Sequence, residues 1–461
     1  MKQLRIVDYG LPVTILGLAI AGARLQNVWS LYAMLALICV YVGLVSFGKV
    51  SEKAYPLALF AIGLALLYQT TLIGPGLVGT DIHGEYYFYQ KALNGWDTSI
   101  PNAYNTSIGS TVIAPFLTNT FHIPGYWVYK AVFPFFFAFV PVLLYFVFKR
   151  EFGGKIAFLS VFFFVSMLSW SLEMISLPRQ MLAELMFALI LFIIMVSKLR
   201  FRYKIPLLVV CAVLGMMFHY ATGPLILFYV GCAFVFLLFS KRRVFPLKWI
   251  GLCAIVLVTT LVGYYGSVAS GEALSNIVSS AANRLDAVSP FAPETDKVPI
   301  ELIPPFVVEP EQIQQPTTVV GETPVAPTTS TPPTPSYLWS QERLVRTALG
   351  MDFMGATVLG KIFRVLQYLT QLCIVLGCIY LVKIRKRVSA EYLSFAVASV
   401  ILIIACLFWP RLSNMVNVTR LYHISLFLLA PACVLGGALL FKKAQYWCCV
   451  FLSRTLSSPA G

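Results

Sequence analysis

Residues 125–148, GYWVYKAVFPFFFAFVPVLLYFVF, contain a single charged side chain, Lys130. As a helix this stretch would be about 36 Å long, more than the roughly 30 Å hydrocarbon core of a bilayer. The rest of the chain has the same character, because 59% of its 461 residues are hydrophobic and its mean hydropathy is +0.81. A soluble domain of this size cannot bury so much apolar surface. The sequence therefore indicates an all-α integral membrane protein.

Stretches of this kind recur along the whole chain. Length and hydropathy predict a bundle of about 12 transmembrane helices. The predicted spans are 10–24, 28–48, 55–73, 125–148, 155–173, 179–197, 204–219, 223–240, 246–266, 353–382, 391–409 and 421–441. The first span is short enough for a signal peptide, but no small-residue cleavage site follows it, so we expect it to remain in the mature chain.

Charge predicts the orientation of these spans. With a cytoplasmic N-terminus, the loops on that side carry 22 Lys and Arg against 4 acids, and the other side carries 12 against 15. This is the positive-inside distribution of a multi-pass cell-membrane protein with both termini in the cytoplasm. The membrane topology thereby explains the net charge of +15. We expect the protein to contact membrane lipids and not to bind nucleic acid. The ten cysteines avoid the predicted exterior loops, so no disulfide framework is indicated.

The spans and loops divide the chain into four predicted parts. These are a two-helix membrane hairpin (1–50), a core of seven helices (51–266) with an exterior loop at 74–124, a long exterior loop (267–352), and three C-terminal helices with a cytoplasmic tail (353–461). Within the long loop, residues 299–335 contain ten prolines and should be extended and mobile. This segment is either a linker or a flexible lid over an exterior site.

The exterior loop of the core begins with a cluster of polar and aromatic residues, VGTDIHGEYYFYQKALNGW (78–96). Thr80 followed by Asp81 is typical of a helix start, with Thr80 as N-cap. In a helix, Ile82, Tyr86, Tyr89 and Leu93 form one apolar face. Asp81 and Glu85 then lie one turn apart on the neighbouring face, and His83 points roughly the opposite way.

An extended turn is the alternative conformation. It would place Asp81, His83 and Glu85 on one side, where they could share a divalent cation such as Mg²⁺ or Mn²⁺. The simplest interpretation involves no chemistry at all, because interfacial tyrosines and solvated acids occur on many capped helices. The membrane setting favours a chemical role instead. There, a carboxylate can deprotonate an attacking hydroxyl, and aromatic faces can hold a sugar or an isoprenoid. Tyr86, Tyr87 and Trp96 are the candidates for that packing.

Further polar residues lie at the predicted exterior ends of other spans. Each could bind substrate or phosphate, or could equally anchor headgroups or neutralise a neighbour. They are Arg179, Glu184, His219, Arg346, Arg364, Arg420 and His423.

Part of this chain resembles a known family. Four segments, GTDIHGEYYFYQ, IPNAYN, VYKAVFPFFFAFVPVLLY and LPRQMLAEL, resemble an archaeal multipass membrane family of unknown function that is grouped with the GT-C glycosyltransferases. The resemblance runs from Gly79 to His219 and is weaker beyond. It implies a seven-helix core, matching spans three to nine, and an enzyme that uses a polyprenyl-phosphate-linked sugar. Two features depart from the GT-C pattern: the extra hairpin at 1–50, and an acidic motif of D-x-H-x-E in place of DxD. The WWDYG signature of oligosaccharyltransferases is absent.

Carried over by this resemblance, Asp81 matches the catalytic base of GT-C enzymes, and Glu85 would support it or help to hold a metal. We therefore expect a glycosyltransferase that transfers a sugar to a glycan, lipid or protein acceptor on the extracytoplasmic face. A transporter or flippase for lipid-linked glycans is the alternative, although it favours charges at the bilayer midplane and broken helices in paired positions. A polymerase or ligase that relies on arginines without Asp81 is a third possibility, and a membrane scaffold explains the polar residues least well.

Overall fold

A computed structural model describes residues 6–271, 275, 357–408 and 418–456. Within these ranges the secondary structure is helical, as predicted, and contains no strand. The helices, numbered in chain order, are α1 Leu11–Arg24, α2 Val28–Ser46, α3 Tyr55–Thr71, α4 Asp81–Ala92, α5 Ala114–Phe121, α6 Gly125–Phe152, α7 Gly154–Val165, α8 Ser169–Ser176, α9 Pro178–Met195, α10 Phe201–Phe218, α11 Thr222–Leu238, α12 Leu247–Ser267, α13 Val358–Lys383, α14 Ala390–Phe408 and α15 Val418–Leu456.

Among the described residues, eight helices are long and apolar enough to cross a membrane. They are α2, α3, α6, α9, α10, α12, α13 and α15. The bent pair α7–α8 makes a ninth if it is taken as one span. The predicted number of twelve also includes the shorter helices α1 and α11, and α14, of which only the segment Ala390–Cys406 counts as a shorter apolar helix; twelve stays a prediction.

The predicted span 155–173 is broken in the structure. Helices α7 and α8 meet at an angle of 52°. At the break, the Ser166 hydroxyl donates to the Phe163 carbonyl over 2.8 Å, a local bond that bends helices. Beyond it, the Trp170 indole donates to the Gly63 carbonyl of α3 over 3.0 Å, which holds the second segment off the axis of the first. A hydropathy profile does not reveal such a bend, because both segments are apolar.

Helix α9 lies at the centre of the bundle. Most of its side chains are buried, and it packs against α6, α10, α11 and α14. Its first turn carries Arg179 and its second Glu184. Charged residues on a buried helix usually have partners, so Arg179 and Glu184 are expected to pair with groups on the neighbouring helices.

The C-terminal helices are held tightly together. Helix α15 packs along α13, and also contacts α7 and α14. At Gly377 and Gly436 the two backbones approach so closely that an added Cβ would lie 1.8 Å from the Ala432 carbonyl oxygen and 1.9 Å from that of Cys373. Glycine at these positions permits the contact. Nearer its start, α15 packs on α7, where Phe164 contacts His423 and Phe427.

The predicted loop 74–124 contains α4 and α5, and a tyrosine cluster joins it to α6. Tyr89 and Tyr129 are buried and pack edge to face, with Tyr86 against both. The Tyr89 hydroxyl pairs with Thr118 of α5 over 2.9 Å. This packing fixes α4 across the end of the bundle. The Pro-rich segment 299–335 and Arg346 lie outside the described residues, so the linker and lid alternatives both stay open.

Candidate functional site

Helix α4 begins at Asp81, as the sequence predicts. The turn before it approaches α8 closely: Gly79 has φ +120°, and an added Cβ would lie 2.2 Å from the Ser176 Cβ. Thr80 occupies the capping position, but its side chain makes no capping hydrogen bond. Only glycine combines this backbone angle with this contact, so Gly79 determines where Asp81 is held.

The predicted faces of α4 are confirmed. Ile82 and Tyr89 are buried in the apolar cluster, with Tyr86 and Leu93 packed beside them. His83 is exposed on the opposite side. The extended alternative is therefore wrong, and with it the shared placement of Asp81, His83 and Glu85 that suggested a cation.

Asp81 is the accessible acid of the site, with 25% of its side chain exposed. Its Oδ2 atom accepts from Arg420 Nη2 at 3.3 Å and lies 3.7 Å from Arg179 Nη2. Its Oδ1 atom lies 3.5 Å from the Tyr104 hydroxyl. One carboxylate thus joins α4, α9 and α15, which are widely separated in the chain. We call Asp81, Glu85, Arg179 and Arg420 the acid–arginine cluster.

Glu85 is the buried acid of the cluster and has no exposed surface. Its Oε2 atom accepts from the backbone N–H of Arg179 at 3.1 Å and from the Ser110 hydroxyl at 3.2 Å. Its Oε1 atom lies 3.4 Å from Arg179 Nε. Burial raises the pKa of Glu85 to about 7, against the opposing effects of the Arg179 charge and these hydrogen bonds. Glu85 is therefore placed to hold Arg179, and no exposed surface is left for it to reach a substrate.

Arg179 connects the two acids and is itself only 3% exposed. Its guanidinium lies over the Tyr104 ring at 4.3 Å and near the Tyr220 ring at 5.3 Å. Its Nε atom faces Glu85 in the 3.4 Å ion pair, and its Nη1 atom has no hydrogen-bond partner in the part of the chain that the structure describes. A buried guanidinium with an unpaired donor is suited to receive an anion, because unpaired buried donors are costly.

His219 and Arg420 complete this end of the bundle. His219 is buried, and its Nδ1 atom accepts from the Thr222 backbone N–H at 3.3 Å. Burial, followed by the positive charges of Arg179 and Arg420, lowers the pKa of His219 well below its usual value. His219 is therefore neutral at pH 7 and can act there as a hydrogen-bonding group but not as a cation.

Glu184 and His423 pair with each other inside the bundle. Both are fully buried, and His423 Nε2 lies 3.2 Å from Glu184 Oε2. The Ser169 hydroxyl lies 2.8 Å from His423 Nδ1, and Gln180 donates to Glu184 Oε1 over 2.8 Å. The pair joins α9 to α15 one turn inside Arg179 and Arg420. It sets the register of the two helices that supply the arginines, and in this conformation it presents neither side chain to the surface.

The remaining predicted residues that the structure describes make contacts outside the cluster. Trp96 donates to Asn105 over 3.1 Å and closes the loop after α4. The ammonium of Lys91 lies 4.9 Å from the centroid of the Tyr87 ring, one turn along α4. Arg364 donates to Gln367, one turn further along α13.

Three polar residues at this site were not predicted. Tyr104 and Ser110 follow α4 and contact the two acids. Glu173 of α8 accepts from Thr419, the residue before Arg420. Of the three, only Glu173 could have been singled out from the sequence, because it is an acid inside a predicted span. Ser110 could not, because its role depends on its contact with Glu85, which the sequence does not show.

A divalent cation does not fit these residues. Both carboxylates of the cluster contact the Arg179 guanidinium, whose charge opposes a cation at the same place. Among the residues that the structure describes, no group of three or more His, Cys, Asp or Glu side chains converges to hold a metal ion. The residues of the cluster are therefore not assigned as metal ligands.

The apolar helices define the class of protein: the chain is a multipass membrane protein. Residues 351–451 match the model of a family described as a predicted membrane protein, DUF2206. No curated protein and no solved structure matches the chain. The matched residues lie in the C-terminal part and do not overlap Gly79–His219, where the resemblance to GT-C enzymes lies, so that resemblance stays a prediction.

Proposed function

We propose that this protein is a GT-C-type glycosyltransferase that transfers a sugar from a polyprenyl-phosphate-linked donor to a hydroxyl of an acceptor, on the extracytoplasmic face. One observation supports the proposal: a partly exposed carboxylate, Asp81, lies against two arginines, and Nη1 of the buried Arg179 has no hydrogen-bond partner among the described residues. A carboxylate would serve as the proton acceptor and the arginines as the anion site, the two groups that the reaction needs.

In the proposed reaction, the acceptor hydroxyl donates its hydrogen bond to Asp81. The hydroxyl oxygen attacks the anomeric carbon as its proton passes to the Asp81 carboxylate. The bond between the anomeric carbon and the phosphate oxygen breaks, and its electron pair leaves with the polyprenyl phosphate. Arg179 and Arg420 stabilise the charge that develops on that phosphate.

The buried residues prepare the site for this step. Glu85 and the rings of Tyr104 and Tyr220 hold the Arg179 side chain in place. An arginine fixed in advance stabilises developing charge better than one that must reorganise. The pair of Glu184 and His423 fixes α9 against α15 and thereby sets the spacing of Arg179 and Arg420.

The test compares Asp81→Asn with the matched variant Asp97→Asn. Asp97 lies on the same loop but pairs with Ser99, away from the arginines. The purified proteins are assayed for release of polyprenyl phosphate from a panel of polyprenyl-phosphate sugars, with membrane extract as acceptor, with and without EDTA. We expect Asp81→Asn to reduce turnover about a hundredfold or more, because a positioned general base contributes about 10²- to 10⁴-fold. Asp97→Asn should keep wild-type turnover.

Two results would contradict the proposal. One is equal release by the wild type and Asp81→Asn. The other is no release from any donor by a wild-type protein that is still stabilised by lipid-linked glycan. The EDTA arm should have no effect if the cluster acts without a metal.

A transporter for lipid-linked glycans is the second candidate, favoured by the break between α7 and α8 and by the buried Glu184–His423 pair. However, Glu184 lies six residues into α9, about 9 Å from its start and short of the middle of the helix. Flipping of a fluorescent lipid-linked glycan in proteoliposomes separates the candidates. A transporter should flip the lipid and lose this activity in Glu184→Gln, whereas the proposed enzyme should not flip it.

A further inference from the structure

A pocket lined by two cationic side chains and two aromatic rings lies beside the N-terminal hairpin, at the same end of the bundle as the acid–arginine cluster. Its cavity volume is about 320 Å³, and it is partly open to the surroundings. This is within the range of small-molecule sites, about 300–1,000 Å³. The pocket is lined by Arg24, Gly74, Pro75, Tyr126, Trp127 and Lys130.

Lys130 forms the inner wall of this pocket. Its side chain is buried, and its ammonium donates to the backbone carbonyls of residues 73, 74 and 76 at 3.4, 2.6 and 2.9 Å. These bonds use all three N–H donors. The carbonyls are neutral, so the positive charge of Lys130 is solvated but not balanced.

Arg24 forms the outer wall, at the last residue of α1. Its guanidinium lies 5.4 Å from the centroid of the Trp127 ring. Throughout the described ranges, neither Arg24 nor Lys130 has a carboxylate within ion-pair distance, and Arg24 makes no side-chain hydrogen bond. Two cations thus face one cavity without an anion, and their repulsion would be relieved by a negatively charged ligand.

The position of the pocket indicates what kind of anion it takes. It lies where α1, α3 and α6 reach the end of the bundle, and Tyr126 and Trp127 are aromatic residues of the type that concentrates at the headgroup level of a bilayer. An anion at this level is most readily supplied by a lipid whose chains lie along the neighbouring apolar helices. Cationic pockets between transmembrane helices bind lipid headgroups in this manner.

We propose that this pocket binds the phosphate of an anionic membrane phospholipid. Arg24 donates to the phosphate oxygens from the open side, Lys130 supplies the second positive charge from within, and Tyr126 and Trp127 flank the headgroup. Residues 74–76 run directly into the turn at Gly79 and Asp81, so the lipid stabilises the segment that leads to the acid–arginine cluster. The proposal is independent of the sugar-transfer reaction.

The experiment measures lipid-dependent thermal stabilisation of the full chain, delipidated in dodecyl maltoside. Phosphatidylglycerol, phosphatidylcholine with the same chains, and inorganic phosphate are each titrated. The variants are Arg24→Gln, Arg24→Lys and the control Lys91→Gln, which removes an exposed cation of α4 outside the pocket. Lys130 is left intact because its bonds to residues 73–76 maintain the loop.

We expect phosphatidylglycerol to raise the melting temperature more than phosphatidylcholine. In Arg24→Gln the half-saturating lipid concentration should increase about tenfold, as expected for one charged hydrogen-bonding partner. Arg24→Lys should fall between, and Lys91→Gln should match the wild type. Native mass spectrometry should show one retained phosphatidylglycerol fewer in Arg24→Gln. Equal stabilisation by both lipids, an unchanged titration in Arg24→Gln, or full stabilisation by inorganic phosphate alone would each overturn the proposal.

Discussion

The two ends of the bundle hold their charges in different ways. At the end opposite to Asp81, acids and arginines bind backbone groups: Glu391 Oε1 accepts the N–H groups of Val244 and Phe245, and Glu151 accepts from both the N–H and the hydroxyl of Ser389. Arg242 donates to three carbonyls of residues 385–388. The ion pairs at that end, Lys149 with Glu52 and Arg150 with Glu151, each include an exposed side chain. At the Asp81 end, the buried Arg179 contacts two acids.

This difference separates a structural role from a functional one. Charged side chains that bind backbone groups cap helix ends and close loops. They stabilise the fold, and most of their hydrogen-bonding atoms are not available for a ligand. In the acid–arginine cluster, an unpaired donor of the buried Arg179 occurs together with a partly exposed acid, Asp81. At the other end, Glu391 Oε2 also lacks a partner among the described residues, but Glu391 is only 2% exposed. Such unsatisfied groups reduce stability and are usually retained for binding or catalysis.

The largest expected effect comes from removing one arginine at each end. Arg179→Met leaves Glu85 buried without its cation, so the free energy of unfolding should decrease by about 3–5 kcal/mol. Arg242→Met exposes carbonyls that water can reach, and should cost about 1 kcal/mol. Denaturant unfolding in mixed micelles, followed by circular dichroism, measures both. Equal losses would remove the distinction between the two ends.

The second prediction concerns pH and Glu85. Its pKa is about 7 in the folded protein and near 4.5 when unfolded, so the folded state binds the proton more tightly. Stability from this group is therefore greatest below about pH 4.5, decreases as the pH rises to about 7, and is constant above that, a difference of about 3 kcal/mol. Glu85→Gln should abolish this part of the profile. Melting curves of both proteins from pH 4.5 to 8 test it, and superimposable profiles would show that Glu85 does not titrate there.

The smallest effect is expected from two glycines with positive φ, one at each end. Gly79→Ala adds a Cβ that meets Ser176, whereas at Gly153, with φ +84°, no atom of the described residues lies within 4 Å of an added Cβ. Gly153→Ala should cost about 1 kcal/mol of backbone strain. Gly79→Ala should cost about 2 kcal/mol because Ser176 must also move, and should impair turnover by displacing Asp81. Thermal unfolding and the release assay check the pair, and a fully active, stable Gly79→Ala would show that this turn is not constrained.

Much of the architecture followed from the sequence. Runs such as 125–148 predicted helices and the membrane location, and the periodicity around Asp81 predicted the start of α4, its apolar face and the shared side of Asp81 and Glu85. These are local properties, because hydropathy and helical period are determined within a window of about one span. The bend between α7 and α8 was not predicted, since it depends on bonds from Trp170 and Ser169 to other helices.

The assembly of the site was decided by tertiary structure alone. Arg420 lies 339 residues from Asp81 in the chain, and its contact depends on how α15 is rotated and how far it slides against α9. The same packing turned Glu184 and His423 toward each other, whereas the sequence left open substrate binding, headgroup anchoring or neutralisation by a neighbour. The sequence could specify which charged residues exist and on which helices they lie. Only the packed bundle could determine their partners, because a charge brought among apolar helices is stable only beside the group that compensates it.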